Sequence, residues 1–171
     1  DNYVRLLEDK EFLTALANSL KSALVIVPAV VALSLLVASL LNTKIRGKSI
    51  YRTLYFLPAV TMSVAISLVW KWIYNGEYGV LNSVLKVFGI EGINLLSDPK
   101  YALIMVLIVE IWMSVGYNMI ILLAGMQGIS TSYYEAAVID GAGPAACFFK
   151  ITIPILTPTI FFFFFSSIIS I

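Results

Sequence analysis

Uncharged apolar stretches dominate this chain, and they limit what it can fold into. Residues 22–41 contain no charged side chain. An α-helix of that length, at about 1.5 Å rise per residue, crosses a hydrocarbon core about 30 Å thick. Three more predominantly apolar stretches lie at 54–74, 101–126 and 153–171, and Lys71 and Glu110 are their only charged residues. Because a chain in lipid must pair its backbone groups internally, we expect an all-α, polytopic membrane helix bundle.

The composition excludes several functional classes. The chain of 171 residues is 60% apolar and only 12% charged, with a net charge of +1, so it lacks the basic surface of a nucleic-acid-binding protein. It contains no histidine and one cysteine, Cys147. Metal sites built from cysteine and histidine, histidine general bases and intrachain disulfides are therefore excluded together.

The positions of the charged residues indicate how the spans are oriented. The loop 42–53 carries basic residues and no acidic ones, which is typical of a short cytoplasmic loop. The next span ends in an aromatic and basic belt typical of a membrane interface, consisting of Trp70, Lys71, Trp72 and Tyr74. Residues 75–100 are then external, and a short interfacial helix is expected at 80–88. Counting the crossings, residues 127–152, here called the polar loop, face the cytoplasm again.

Local signals divide the polar loop into two short helices. Ser132 and Glu135 have the spacing of a capping box, which begins a helix. Gly141 can end that helix in a left-handed turn, and Pro144 suits the first position of the next one. On spacing alone, the loop is either an ordinary connection with capped helices or a docking element for another protein.

A sequence signature in the polar loop distinguishes between these alternatives. It consists of Glu135-Ala136-Ala137, Asp140-Gly141-Ala142, Phe148, Ile151 and Pro154. This pattern resembles the cytoplasmic EAA signature of the permease subunits of bacterial ATP-binding-cassette importers. Other segments are similar to the carbohydrate-uptake branch of that family, which includes maltose-type and glycerol-phosphate-type permeases: Arg46-Gly47, 52–58, Gly79 with Leu81-Asn82, Leu96 with Asp98-Pro99, and Ala124-Gly125 with Ile129. The resemblance covers nearly the whole chain.

The resemblance implies a fold and a set of partners. The fold would be the permease core of a type I importer, and the chain is expected to be a fragment that holds about four of the family's six spans. It would lie in the bacterial inner membrane. Its partners would be a cytoplasmic ATPase, a second permease subunit, an extracytoplasmic solute-binding protein and membrane lipid. ATP and Mg²⁺ would bind to the ATPase, which leaves this chain without a cofactor, a metal or a catalytic residue.

The resemblance also implies roles for the signature residues. Glu135 would be the charged contact to the ATPase, within a docking set that includes Asp140. Small residues would let the loop sit closely against that partner: Ala136, Ala137, Gly141 and Ala142. Phe148, Ile151 and Pro154 would anchor the loop to the membrane helices, so that it moves with them as a lever. The alternative function is a membrane anchor or sensor that docks a cytoplasmic protein without moving a solute.

One ionisable residue, Glu110, lies inside the predicted span 101–126. Such residues are costly in lipid and usually face a water-filled cavity or a partner. Ser114, Tyr117 and Asn118 share its helix face, and a carboxylate with hydroxyl, aromatic and amide groups nearby suits a sugar. These four residues are therefore candidates for the solute path. The alternatives for Glu110 are packing within the bundle as a protonated, hydrogen-bonded group, or contact with another subunit.

Overall fold

A computed structural model describes residues 2–43, 45–89 and 95–170 of the chain. Within these ranges the chain is helical and has no strand. The elements in order are α1 (Asn2–Glu8), α2 (Lys10–Asn42), α3 (Lys48–Val60), α4 (Ser63–Ile73), α5 (Val80–Val87), α6 (Pro99–Gln127), α7 (Thr131–Ile139), α8 (Pro144–Cys147), a π-helical segment (Phe148–Thr152) and α9 (Ile153–Ser170). Lys44 of the basic loop, residues 90–94 of the external loop and residue 171 of the last predicted span lie outside the described residues.

Three helical stretches are long and apolar enough to cross a membrane, namely α2, α6 and the continuous stretch 144–169. They contain the predicted spans 22–41 and 101–126 and the described part of 153–171. Helices α3 and α4 have 13 and 11 residues, and each is too short to cross a membrane alone. They are long enough only as a pair, and the chain bends by 97° between them. The described residues thus form three to four candidate spans, which agrees with the expected all-α membrane bundle.

The predicted span 54–74 is not one straight helix. Pro58, in the last turn of α3, has no N–H to donate to the turn before it, and α3 ends soon after it. Thr61 is extended, with ψ at 144°, and its hydroxyl donates to the Leu57 carbonyl oxygen at 2.8 Å. The Thr61 hydroxyl thus provides a hydrogen bond to a carbonyl oxygen in the last turn of α3. The chain then bends, and α4 begins in a new direction.

The core lies along the contact between α2 and α6, the most extensive helix contact in the fold. Its buried side chains come from α2, α6, the turn after α6, and α9: Val37, Ala38, Leu41, Val115, Met119, Leu122, Leu123, Met126, Ile129, Leu156 and Phe163. The Ser34 hydroxyl, fully buried on α2, donates to the Val115 carbonyl oxygen at 3.2 Å. Small and hydrogen-bonding residues of this kind hold helices together in lipid. The core therefore fixes α9, and the polar loop before it, relative to α6.

The external loop begins with a compact turn after α4. The Asn75 side-chain oxygen accepts hydrogen bonds from the N–H groups of Glu77 and Tyr78 at 2.9 and 3.1 Å. The buried Asn82 side chain donates to the Asn75 carbonyl oxygen at 2.9 Å. This turn leads directly into α5, so the short helix predicted in the external loop is confirmed.

Candidate functional site

The first helix of the polar loop begins two residues earlier than the capping box predicts. Ser130 is the N-cap of α7, and its hydroxyl oxygen accepts from the Ser132 N–H at 3.4 Å. The predicted Ser132–Glu135 capping box is therefore wrong. The reason is tertiary, since Ile129 is buried in the core and forces the chain to turn immediately after it. Glu135 is consequently free of the cap, and its side chain is exposed.

The turn after α7 has the geometry that the glycine predicts. Gly141 has φ of +80°, in the left-handed region that glycine adopts without a steric penalty. The Ala142 N–H donates to the Ala137 carbonyl oxygen at 2.8 Å, and the Gly141 N–H donates to that of Val138 at 3.0 Å. This pair of bonds is a Schellman motif, which satisfies the last carbonyls of a helix. The predicted left-handed turn at Gly141 is confirmed.

The second helix of the polar loop is not a separate element. Pro144 occupies its first turn, as predicted, but the helix continues through the π-helical segment Phe148–Thr152 into α9. A π-helical turn inserts an extra residue into an α-helix and often marks a functional position. The helix that begins at Pro144, three residues after Gly141, thus runs without a break into α9.

The signature residues form an outward-facing surface at this turn. Glu135, Ala136, Asp140 and Gly141 are exposed, while Ala137 and Ala142 are half-buried. Two apolar neighbours that sequence reasoning missed, Val138 and Ile139, are 65% and 86% exposed. An apolar surface beside a carboxylate is typical of a protein contact. Val138 and Ile139 lie between the Glu-Ala-Ala and Asp-Gly-Ala motifs of the signature. This position is the sequence signal that could have identified them.

The three residues predicted to anchor the polar loop differ in burial. Phe148 and Ile151 are half-buried, and Phe148 packs against the core cluster, whereas Pro154 is exposed. Tyr134 also packs on that cluster, and its hydroxyl lies 2.9 Å from the Thr152 hydroxyl. Sequence reasoning missed this pair, which joins α7 to the π-helical segment.

We expect the Tyr134–Thr152 hydrogen bond to stabilise the loop measurably. Thr152 is 5% exposed and its hydroxyl also donates to the Cys147 carbonyl oxygen at 3.4 Å, so we expect loss of the Tyr134 bond to cost about 1 kcal/mol, the net value of one hydrogen bond. Tyr134→Phe and Thr152→Val each remove one hydroxyl while keeping the shape. In a double-mutant cycle on the thermal unfolding of the full-length protein, the two changes should couple by about 1 kcal/mol. Strict additivity would show that the two hydroxyls do not interact.

The four solute-path candidates line one cavity. Glu110, Ser114, Tyr117 and Asn118 face a space of about 280 Å³ between α2, α6 and α9. On the α9 side this cavity is lined by Phe162, Phe163, Ser166 and Ser167. The Asn118 amide donates to the Ser114 carbonyl oxygen at 2.9 Å. The structure thus joins the predicted residues and adds two serines that sequence reasoning missed, since only the fold brings α9 to this face of α6.

A second cavity lies on the other side of Glu110. It measures about 550 Å³ and is formed by α4 and α6, with Glu110 and Ser114 common to both cavities. From α4 it is lined by Ser63, Ser67, Trp70, Lys71 and Tyr74. Glu110 is exposed on its helix, and the described residues contain no cluster of acidic, cysteine or histidine side chains that could hold a metal ion. The Glu110 side chain therefore lines both cavities.

Comparison with known proteins identifies the family. Residues 11–171 match the family described as the binding-protein-dependent transport system inner membrane component. The chain belongs to this family. The resemblance that the EAA signature indicates is thereby confirmed, together with its assignment to a transport permease component.

Curated relatives of this inner membrane component include sugar and polyol transporters. The lactose transport system permease protein LacF of Rhizobium radiobacter is 41% identical over 164 residues, which are 94% of this chain and 55% of that protein. The sn-glycerol-3-phosphate permease protein UgpA of Escherichia coli is 32% identical over 162 residues, covering 95% and 55%. The chain thus spans about half the length of the curated relatives that it matches.

A solved structure supports the same fold. A chain of a bacterial alginate ABC transporter, in complex with an alginate pentasaccharide-bound periplasmic protein, superposes with a TM-score of 0.86. It is 24% identical and covers 94% of this chain and 56% of its own length. At this identity the likeness is evidence for the fold, which is the expected type I permease core.

Proposed function

We propose that this chain is part of the permease subunit of an ATP-driven importer, in which it lines the solute path and couples to a separate ATPase. The observation that carries the proposal is a continuous connection. The exposed surface around Glu135 is followed, without a break after Pro144, by the helix whose far end lines the cavity at Glu110. A movement at one end of this connection reaches the other through one helix and one core.

The surface around Glu135 is proposed to dock the ATPase. Its carboxylate is exposed on α7, and the exposed Ile139 offers an apolar contact on the same helix. ATP and Mg²⁺ would be held by the ATPase, and this chain would transmit the conformational change. With the basic loop 42–53 on the cytoplasmic side, the polar loop lies on that side as well, where an ATPase has access to it.

The remaining partners follow from the relatives. The alginate transporter was crystallised with its pentasaccharide-bound periplasmic protein, and we propose an equivalent extracytoplasmic receptor here. A second permease subunit, identical or different, would close the solute path. LacF is named for lactose and UgpA for sn-glycerol-3-phosphate, which supports a sugar or a related polyol as the solute.

The solute path is proposed to pass Glu110. In the cavity between α2, α6 and α9, its carboxylate lies with Ser114 and Asn118, opposite the hydroxyls of Ser166 and Ser167. Hydroxyl groups of a sugar need such donors and acceptors, and its C–H faces can pack on aromatic rings. The same cavity contains the rings of Tyr117, Phe162 and Phe163.

Reconstitution tests both parts of the proposal. The full-length permease, assembled in proteoliposomes with its ATPase, second subunit and receptor, should take up the receptor's solute when ATP is supplied. Glu110→Gln should raise the solute concentration for half-maximal uptake about ten-fold or more, because a hydrogen bond to a charged group contributes about 1.5–3 kcal/mol. The matched control is Glu77→Gln, a change at an exposed carboxylate of the external loop.

The outcomes separate the alternatives. If Glu110→Gln leaves the uptake kinetics unchanged, Glu110 is not in the path. If the complex assembles and hydrolyses ATP but no solute moves, the membrane-anchor function is favoured over transport.

A further inference from the structure

A large apolar groove lies on the outside of the bundle, away from both cavities at Glu110. It is about 790 Å³ and is bounded by α2, α3 and α6. On α3 its wall consists of Tyr51, Leu54, Tyr55 and Pro58, and apart from Trp112 the residues on α2 and α6 are aliphatic. Leu36 and Leu54 on its rim are each more than half exposed. The groove, here called the α3 groove, is therefore open to the surroundings of the bundle.

Two basic residues of α3, Lys48 and Arg52, lie near one end of the α3 groove but are not among the residues that line it. Lys48, Tyr51, Tyr55 and Pro58 recur at the spacing of a single helix face, so Lys48 lies one turn before the aromatic part of the wall. Arg52 follows Tyr51, and its Nε is buried without a hydrogen-bond partner among the described residues. The loop 42–53 contributes no acidic side chain that could pair with either.

Helix α3 therefore changes in polarity along its length. Lys48 and Arg52, outside the groove lining, are cationic, and the lining is aromatic with hydroxyls at Tyr51 and Tyr55 and apolar at Leu54 and Pro58. From Lys48 to Pro58 this change takes about 15 Å, the rise of ten helical residues. A phospholipid has the same order of groups, namely a charged headgroup, a polar interface and an acyl chain.

We propose that the α3 groove binds an anionic phospholipid, with an acyl chain against Leu54 and Pro58 and the headgroup phosphate at Lys48 and Arg52. The two cations and the absence of acidic residues in the loop favour a negative headgroup over a zwitterionic one. This site is independent of solute transport and of the ATPase contact.

Native mass spectrometry of the full-length protein provides the test. The protein is released from nanodiscs that contain equal amounts of phosphatidylglycerol and phosphatidylcholine, and the lipids retained on it are counted. We expect phosphatidylglycerol to be retained preferentially. Each cation near an anionic lipid contributes a factor of about five to binding, so Lys48→Gln combined with Arg52→Gln should weaken that retention about 25-fold.

Three comparisons make the result specific. Lys86→Gln with Lys100→Gln removes the same charge from the external loop and should leave retention unchanged. Lys48→Arg with Arg52→Lys keeps the charge and should retain the lipid, so a loss seen only with glutamine is not a folding defect. Added inorganic phosphate should not displace the lipid, since it has no acyl chain. Equal retention of both lipids, or equal loss in the two double-glutamine variants, would overturn the proposal, as would a photoreactive acyl chain that fails to label the α3 groove.

Discussion

Replacing Glu135 by lysine is expected to abolish the stimulation of the proposed partner ATPase by the proposed solute-loaded receptor. Glu135 is exposed on α7, and the cap of that helix is made by Ser130. Charge reversal therefore disturbs no described contact within the chain. At a protein interface, removing one partner of a close charge pair costs about 2–5 kcal/mol, and placing like charges together adds to that cost. We expect the stimulated ATPase rate, measured in proteoliposomes, to fall at least about 30-fold.

The control for this prediction is the same charge reversal on the other side of the protein. Glu77→Lys changes an exposed carboxylate in the external loop and should leave both membrane insertion and the stimulated ATPase rate of the assembled transporter near the unmodified values. Insertion of the Glu135→Lys protein should also be normal, since no span is altered. Uptake that survives Glu135→Lys unchanged would show that this surface does not dock the ATPase.

Features that depend on short-range physics could be predicted from the sequence. The helix α2 follows from the uncharged residues 22–41, because only a helix satisfies that much backbone in lipid. The turn at Gly141 follows from the freedom of glycine at positive φ. The start of a helix at Pro144 follows because proline has no N–H group, which would have no partner in the first turn. In each case the residue itself carries the constraint, so no knowledge of the neighbouring helices is needed.

Features that depend on packing could not be predicted. Ser130 replaces Ser132 as the cap because Ile129 is drawn into the core, and no local pattern reports that burial. The bend between α3 and α4 depends on the hydrogen bond from the Thr61 hydroxyl to the Leu57 carbonyl oxygen, at the end of a helix that already contains Pro58. A proline within an uncharged stretch is compatible with a kinked continuous span as well as with a break, so the sequence alone does not distinguish them.

The candidate solute site shows the same division. Glu110, Ser114, Tyr117 and Asn118 share a face of one helix, and helical spacing therefore predicts their proximity. Ser166 and Ser167 join them only because Leu156 and Phe163 pack α9 onto the core. The Tyr134–Thr152 hydrogen bond likewise joins α7 to the π-helical segment, and only the fold brings these two elements together. Pairs of this kind are defined by the fold and not by a motif.

Gly116→Ala is expected to destabilise the bundle strongly, although alanine is normally the better helix residue. Gly116 lies in α6 where α3 crosses it, and an added Cβ would overlap the Tyr55 carbonyl oxygen and approach the Phe56 Cα to 3.1 Å. These are backbone atoms, so they can move away only if α3 moves. Overpacking typically costs about 1–3 kcal/mol, which exceeds the gain of about 1 kcal/mol in helix propensity. We expect a lower midpoint of thermal unfolding for the detergent-solubilised full-length protein.

Gly125→Ala separates this close approach from a general effect of losing glycine in α6. A Cβ at position 125 would meet only Leu156 Cδ2, at 2.8 Å, and the end of a side chain, even in the core, can shift at a lower cost than the backbone atoms met at Gly116. The two variants make the same chemical change in the same helix, so their difference measures the α3–α6 contact. We expect Gly116→Ala to be less stable than Gly125→Ala by about 2 kcal/mol. Equal midpoints would mean that α3 does not approach α6 at Gly116, and the bent α3–α4 pair would then have to be positioned by another contact.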